Sequence, residues 1–593
     1  MTTNSCTPDS EPQDRNAASC FRVSPFKQDY IDVISPLSLP LDEIARTTFP
    51  RRSLMAKHVA IIGAGMSGLL ACKYAKEKGF RPVVFEADDG VGGVWRHTIA
   101  STELQNTRET YQFFDFPWPS SVAEDHPRHD QVLAYLMSYA DHFDLVRHIK
   151  FRSKVLGIEY VGESFKEINS WVLWGGTGTP FGSKGKWHVR VQDAVTNRID
   201  VYQVEFVILC LGLYSGFPNI PKLPPQKGPE IFKGIVKHSV DYSSLDDVAA
   251  LEFIKRKKVT IVGSKKTAID IAALCANENG TRYPCTILIR TPHWLVPSDD
   301  TFVQKIISLL YYTRFAEFFV HKPGESWALS FFATVVAPIV RTLPTFIPVC
   351  NPRSLLQRWA FSKILETYLK WRLPLKKYGI LPKCSFTQDI FACHACLLPD
   401  KFYDRVEEGS IILKTADSFT FCEKGIIIPG DSSPIESDVV IYSTGFRGDE
   451  KHRSIFEQPQ FKKSIARYPS GLLPLYRQVI HPRIPRLAVL GYAETFSVLY
   501  ANEIRCHWLA QFLDGKIKLP SMREMEKEVS EWEEFMIKQN GNTRRACSLN
   551  LSIWSSDRLC RDMGYEPKRI KGFLNDLFIP YGPINYSNLG KTN

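Results

Sequence analysis

Val59-Ala60-Ile61-Ile62-Gly63-Ala64-Gly65-Met66-Ser67-Gly68 is the stretch that decides how this chain folds. Four apolar residues in a row suit a strand buried on both faces of a parallel sheet. Three glycines at G-x-G-x-x-G spacing then turn the chain into a helix, and each has its own task. Gly63 permits the tight turn, Gly65 lets backbone approach a pyrophosphate, and Gly68 lets the helix pack against the strand. The helix predicted from Met66 to Lys78 points its unpaired N–H groups and positive dipole end at that phosphate. Gly79 is placed to stop this helix, and Arg81 to Phe85 forms the next strand. That strand runs into Glu86, 18 residues beyond Gly68, where a carboxylate accepts both ribose hydroxyls. An acid there repels a 2′-phosphate, so the unit expects FAD or NAD rather than NADP. Downstream, Gly92 and Gly93 allow backbone to lie close to a flavin, and Trp95 stands ready to cover a ring face, which favours FAD.

The turn is spelled again 200 residues later as Val259-Thr260-Ile261-Val262-Gly263-Ser264-Lys265-Lys266-Thr267-Ala268. Gly263 keeps the first position, and Ala268 at the third still permits close packing. Lys265 stands at the second, where bare backbone normally meets phosphate. Either the site is dead, or the ammonium groups of Lys265 and Lys266 contact phosphate instead. The following strand, Cys285 to Ile289, ends at Arg290 where the first unit has Glu86. An arginine there suits a 2′-phosphate, so this unit expects NADPH. The fold class implied is α/β, with two Rossmann-like dinucleotide-binding domains.

The rest of the chain bounds the function. Its 593 residues are enough for several cores, and 44% hydrophobic with 23% charged residues is a globular composition. A net charge of +11 favours anionic ligands, but the basic residues are scattered and do not point to nucleic acid. Fourteen cysteines without framework spacing suit a reducing compartment with buried thiols. One C-x-x-C, Cys393-His394-Ala395-Cys396, has no second pair to complete a zinc site, and no metal is expected. Residues 1–55 lack an apolar core of a leader and read as a flexible extension. The apolar region from Phe302 to Cys350 has its cleanest piece at Trp327 to Val340, 14 residues against the roughly 20 a membrane span needs. Buried or tunnel-lining helices are expected there, with peripheral membrane contact as the alternative and no transmembrane anchor.

Between the two units lies Phe232-Lys233-Gly234-Ile235-Val236-Lys237-His238-Ser239-Val240-Asp241-Tyr242. It resembles F-x-G-x-x-x-H-x-x-x-Y, the identifying sequence of flavin-containing monooxygenases. Gly92-Gly93-Val94-Trp95, Asp115-Phe116-Pro117, Leu211-Gly212-Leu213-Tyr214 and Ser443-Thr444-Gly445-Phe446 fall in the family's order, the last similar to its A-T-G-Y strand end, so Thr444 and Gly445 join the expected cofactor-binding residues. Within the family the chain is most similar to the plant branch typified by pipecolate N-hydroxylase. The shared traits are Phe114-Asp115-Phe116-Pro117-Trp118-Pro119, the lysine-bearing second turn, and Arg290-Thr291-Pro292-His293-Trp294. Where other members carry a functional asparagine before the D-F-P segment, this chain has Gln105 with Asn106 beside it.

The resemblance implies an FAD- and NADPH-dependent enzyme that activates O₂ as a flavin C4a-hydroperoxide and N-hydroxylates a small amine or amino acid. Pipecolate leads, with a role in defence signalling. Gln105 and Asn106 are the catalytic candidates, and His238 and Tyr242 are expected to position the inter-domain segment. Other readings are S-oxygenation of thioethers and oxidative decarboxylation of indole-3-pyruvate to auxin. Further off stand a flavin disulfide reductase using Cys393 and Cys396, and a nucleotide-binding sensor without activity. The expected division is 56–215 for the first part of the FAD domain, 216–400 for the NADPH domain with its apolar insertion, and 401–575 for the second FAD part. A tail at 576–593 closes the chain. The expected setting is cytoplasmic, with association to the endoplasmic reticulum surface as an option.

Overall fold

The computed structural model describes residues 57–590 except 319, 321, 326–352, 468–470, 496 and 541–545. The expected N-terminal extension and the apolar piece at 327–340 therefore lie outside the described residues. Among those described, no helix is long and apolar enough to cross a membrane.

Two five-stranded parallel sheets are built on the two apolar runs. In the first, the order is Leu487–Val489, Phe206–Leu209, His58–Ile62, Arg81–Phe85, Ile149–Lys150. In the second it is Ile411–Thr415, Cys285–Ile289, Val259–Val262, Val439–Tyr442, Ile235–His238. All pairings in both sheets are parallel. Each fingerprint strand is the middle strand of its sheet, which explains its continuous apolar character: both faces and both edges are covered. The strand ending in the expected ribose or phosphate contact lies on one side of it, and a returning strand lies on the other.

Helices Met66–Glu77 and Lys266–Asn279 follow the two turns. The first packs against Val498–Leu513, a helix buried along nearly its whole length, so the first lobe is completed by the C-terminal part of the chain. Strands 411–415 and 439–442 belong to the second sheet. Both strands lie beyond the expected 400/401 boundary and pair with strands that precede it. Propensity cannot reveal which sheet a short apolar strand joins, and parallel pairing is set by long crossovers.

Among the described residues one disulfide joins Cys393 to Cys547, 154 residues away. This departs from the expectation of buried thiols in a reducing compartment for these two cysteines. It also removes Cys393-x-x-Cys396 as a dithiol, since Cys396 is a separate buried thiol that burial pushes up to about 12. Sequence spacing gave no hint of a partner so distant.

Candidate active site

At the first turn, Gly63 has φ +105°, and a Cβ there would come 2.6 Å from the Cys210 carbonyl oxygen. A Cβ on Gly68 would lie 1.8 Å from the Gly63 carbonyl oxygen, so both positions require glycine. Gly65 differs. Its φ of −72° is open to any residue, and its Cβ would meet only the Gly93 backbone, at ordinary distances of 3.5 Å and more. The glycine here leaves a cradle in which the Gly65 and Gly93 backbones face each other, and Gly92 donates to the Ala64 carbonyl at 3.1 Å. No side chain caps the helix behind it, and its first turn holds no acid. These features fit a diphosphate held by backbone N–H groups. Glu86 is buried at the adjacent strand end, its carboxylate accepting from Ala64 N at 2.5 Å and Asp88 N at 3.0 Å. Two backbone donors fix its orientation and leave further lone pairs for a ribose. Trp95 donates its indole N–H to the Tyr111 hydroxyl at 3.2 Å, which anchors it beside Gly93.

The second turn repeats this geometry. Gly263 N donates to Leu288 O at 3.1 Å, as Gly63 N does to Phe85 O at 2.8 Å. A Cβ on Gly263 would come 2.4 Å from the Ser443 carbonyl oxygen. Lys265 is the helix N-cap with φ −107°, so its side chain costs no backbone strain. Ala268 is buried in the helix–strand contact. Lys266 does not stand as expected: its Nζ bonds buried Asp270 at 2.7 Å, one helical turn on. Burial pushes the Asp270 carboxyl up to about 6, Lys266 opposes this, and Thr102 and Glu103 of the first lobe stand close to it. Arg290 is exposed at its strand end, and the Ser264 hydroxyl bonds the Thr291 carbonyl at 3.0 Å.

Residues 102–106 of the first lobe lie against the second. Gln105 Oε1 accepts from Leu397 N of the second lobe at 3.3 Å, while the Asn106 side chain bonds the Tyr312 hydroxyl. Both candidates therefore sit at the seam between the lobes, held by residues of the second. The identifying segment is structural in this geometry. His238 Nδ1 accepts from Val240 N at 3.2 Å and its Nε2 donates to the Gly445 carbonyl at 3.1 Å. Asn219 N donates to the same Gly445 carbonyl at 2.8 Å, and the Thr444 hydroxyl donates to Asn219 O. Thr444 and Gly445 thus tie the outgoing and returning linkers together. Tyr242 is buried, and its hydroxyl makes no hydrogen bond among the described residues.

Sequence reasoning passed over Lys451. Its part-buried Nζ donates to Leu211 O and, at 2.6 Å, to the Ser215 hydroxyl; burial pushes it down to about 8, opposed by the charge of Glu86. A lone lysine in a polar run carries no signal of this. Asp270 was passed over too, although its i, i+4 spacing from Lys266 is a signal that could have found it.

A family model described as flavin-binding monooxygenase-like matches residues 56–322 and 339–585. Probable flavin-containing monooxygenase 1 of Arabidopsis thaliana is 38% identical over 538 residues, covering 90% of this chain and 96% of its own. The chain belongs to the flavin-binding monooxygenase family. The enzyme class is therefore flavin-containing monooxygenase, and the family's cofactors are FAD and NADPH. Two solved structures share the fold: OTEMO in complex with FAD and NADP, and S-allyl-L-cysteine S-oxygenase from Allium sativum. The first has a TM-score of 0.58 at 17% identity, covering 85% of this chain and 98% of that one. The second has a TM-score of 0.52 at 17% identity, covering 86% and 89%.

Proposed function

We propose that this monooxygenase N-hydroxylates a small amine or amino acid, with a cyclic amino acid such as pipecolate as the leading substrate. The observation that carries the reading is the pair of equivalent turns with opposite strand-end charges, Glu86 in the first sheet and Arg290 in the second. When bound, FAD supplies oxygen-atom transfer from O₂ at the expense of NADPH. The chain's own part is to hold and exclude. Gly65, Gly93 and the uncapped helix receive the FAD diphosphate, and Glu86 the ribose. Arg290 and Lys265 receive the phosphates of NADPH, with Asp270 holding Lys266 clear of them. Gln105 and Asn106, held by Leu397 and Tyr312, would offer amide groups to orient the reacting groups without an acid–base pair.

The preference for nitrogen rests on the lysine-bearing turn and the Arg290–Trp294 stretch shared with the pipecolate branch. The second reading is oxygenation of a thioether amino acid, the substrate type named for the Allium neighbour. Purified enzyme with NADPH and each substrate class decides between them through oxygen uptake and product mass. Uptake accelerated by pipecolate with a hydroxylamine product is the expected result. Acceleration by S-allyl-cysteine alone, or no flavin spectrum, overturns it.

A further inference from the structure

The stretch Arg290-Thr291-Pro292-His293-Trp294 and the segment Cys393-His394-Ala395-Cys396 converge on one buried carboxylate. His293 Nδ1 lies 2.8 Å from Asp389 Oδ1, and His394 Nδ1 lies 3.6 Å from the same oxygen. The two imidazole rings are 4.7 Å apart, and the three donor atoms all fall within 4.8 Å of one another. An ion bound at zinc-like distances of about 2.0–2.2 Å in a tetrahedral arrangement separates its donors by about 3.3–3.6 Å. The observed separations bracket that figure, so small side-chain rotations suffice.

The surroundings are those of a prepared site. Asp389 is 2% exposed, and its other oxygen accepts from Trp294 N at 2.7 Å, which fixes the carboxylate plane as outer-sphere partners do. His394 N donates to the Asp389 carbonyl at 3.0 Å, and the residue before His394 is pinned by the Cys393–Cys547 disulfide. The short parallel pair Leu295–Pro297 and Cys396–Leu398 holds both histidine segments side by side. The histidine side chains keep 11% and 24% exposure, enough for an ion to enter and for a fourth position to stay open.

We propose that His293, Asp389 and His394 form a binding site for a divalent transition-metal ion of the zinc class. Two imidazoles and one carboxylate are the donor set that such ions favour over calcium or magnesium. The site lies outside the two dinucleotide turns and takes no part in oxygen transfer. Its role is to clamp the Arg290–Trp294 loop to the segment after Asp389.

Full-length, FAD-loaded enzyme stripped with a chelator provides the test. Titration with zinc chloride should show one ion per chain and raise the melting temperature. Cobalt(II) should give the visible absorption of a four-coordinate nitrogen–oxygen site without a thiolate charge-transfer band. His394→Ala and His293→Ala each remove a ligand and should weaken zinc binding by at least about 100-fold, the upper end of what loss of an outer-sphere partner costs. His394→Gln serves if the alanine variant fails to fold, with flavin content checking the fold. No zinc uptake by the wild-type enzyme, uptake unchanged in both histidine variants, or a thiolate band overturns the proposal.

Discussion

At the first turn, Gly68 N and Leu69 N donate to Gly65 O; at the second, Ala268 N and Ile269 N donate to Lys265 O. Gly63 and Gly263 press against the carbonyls of Cys210 and Ser443, the equivalent residues of the returning strands. One backbone is thus used twice, and the difference lies in side chains. The first turn offers bare backbone and a buried acid, the second an extra cation and an exposed arginine. Neither Gly65 nor Lys265 is dictated by φ, so the choice between them answers to the ligand rather than to the fold. Bare backbone suits a cofactor that stays; long cationic side chains suit one that must bind, react and leave.

The comparison breaks most sharply at the third position. Gly68→Ala drives a Cβ into the Gly63 carbonyl, and FAD content should fall at least about tenfold, the equivalent of about 1.4 kcal/mol. The flavin-to-protein absorbance ratio reads this directly. Ala268→Gly at the equivalent site should cost only about 0.5–1 kcal/mol of stability in the melting curve, with no loss of FAD. At the strand ends, Arg290→Gln removes a charged hydrogen-bond donor. It should raise the KM for NADPH roughly 10- to 150-fold and leave that for NADH nearly unchanged. Flavin content should not move.

A smaller contrast lies beneath the two helices. Glu503, which accepts from Tyr74 OH at 3.0 Å and Phe114 N at 2.8 Å under the first helix, is pushed up to about 8 by burial. Because its folded value exceeds its unfolded one, its contribution to stability is complete below about 4.5 and is lost as pH rises through about 8. Asp270 in the second helix is raised only to about 6, so its loss is finished near pH 6. Melting temperatures of Glu503→Gln should therefore have a flatter slope than wild type between pH 6 and 8. Asp270→Asn should change the slope only below pH 6.

The two turns, their strands and the acid and arginine at the strand ends were readable because each is a local pattern of glycine, apolar run and spacing. The placement of strands 411–415 and 439–442 was not, since parallel partners come from opposite ends of a lobe. Gln105 and Asn106 were found by counting from Asp115, yet their contacts to Leu397 and Tyr312 required the folded seam. Lys266 misled for a clear reason: two adjacent lysines look alike in sequence, while the helix places Lys266 one turn before Asp270 and in hydrogen bond with it. The His293–Asp389–His394 cluster joins residues about 100 positions apart and left no spacing signal.

The central claim is that Lys265 makes the second turn a working NADPH site rather than a damaged copy of the first. Steady-state NADPH kinetics of Lys265→Ala, measured beside its flavin content, test it most directly. The KM should rise roughly tenfold, the equivalent of one charge-assisted hydrogen bond, with FAD bound as in wild type. An unchanged KM, or a loss of FAD instead, would contradict it.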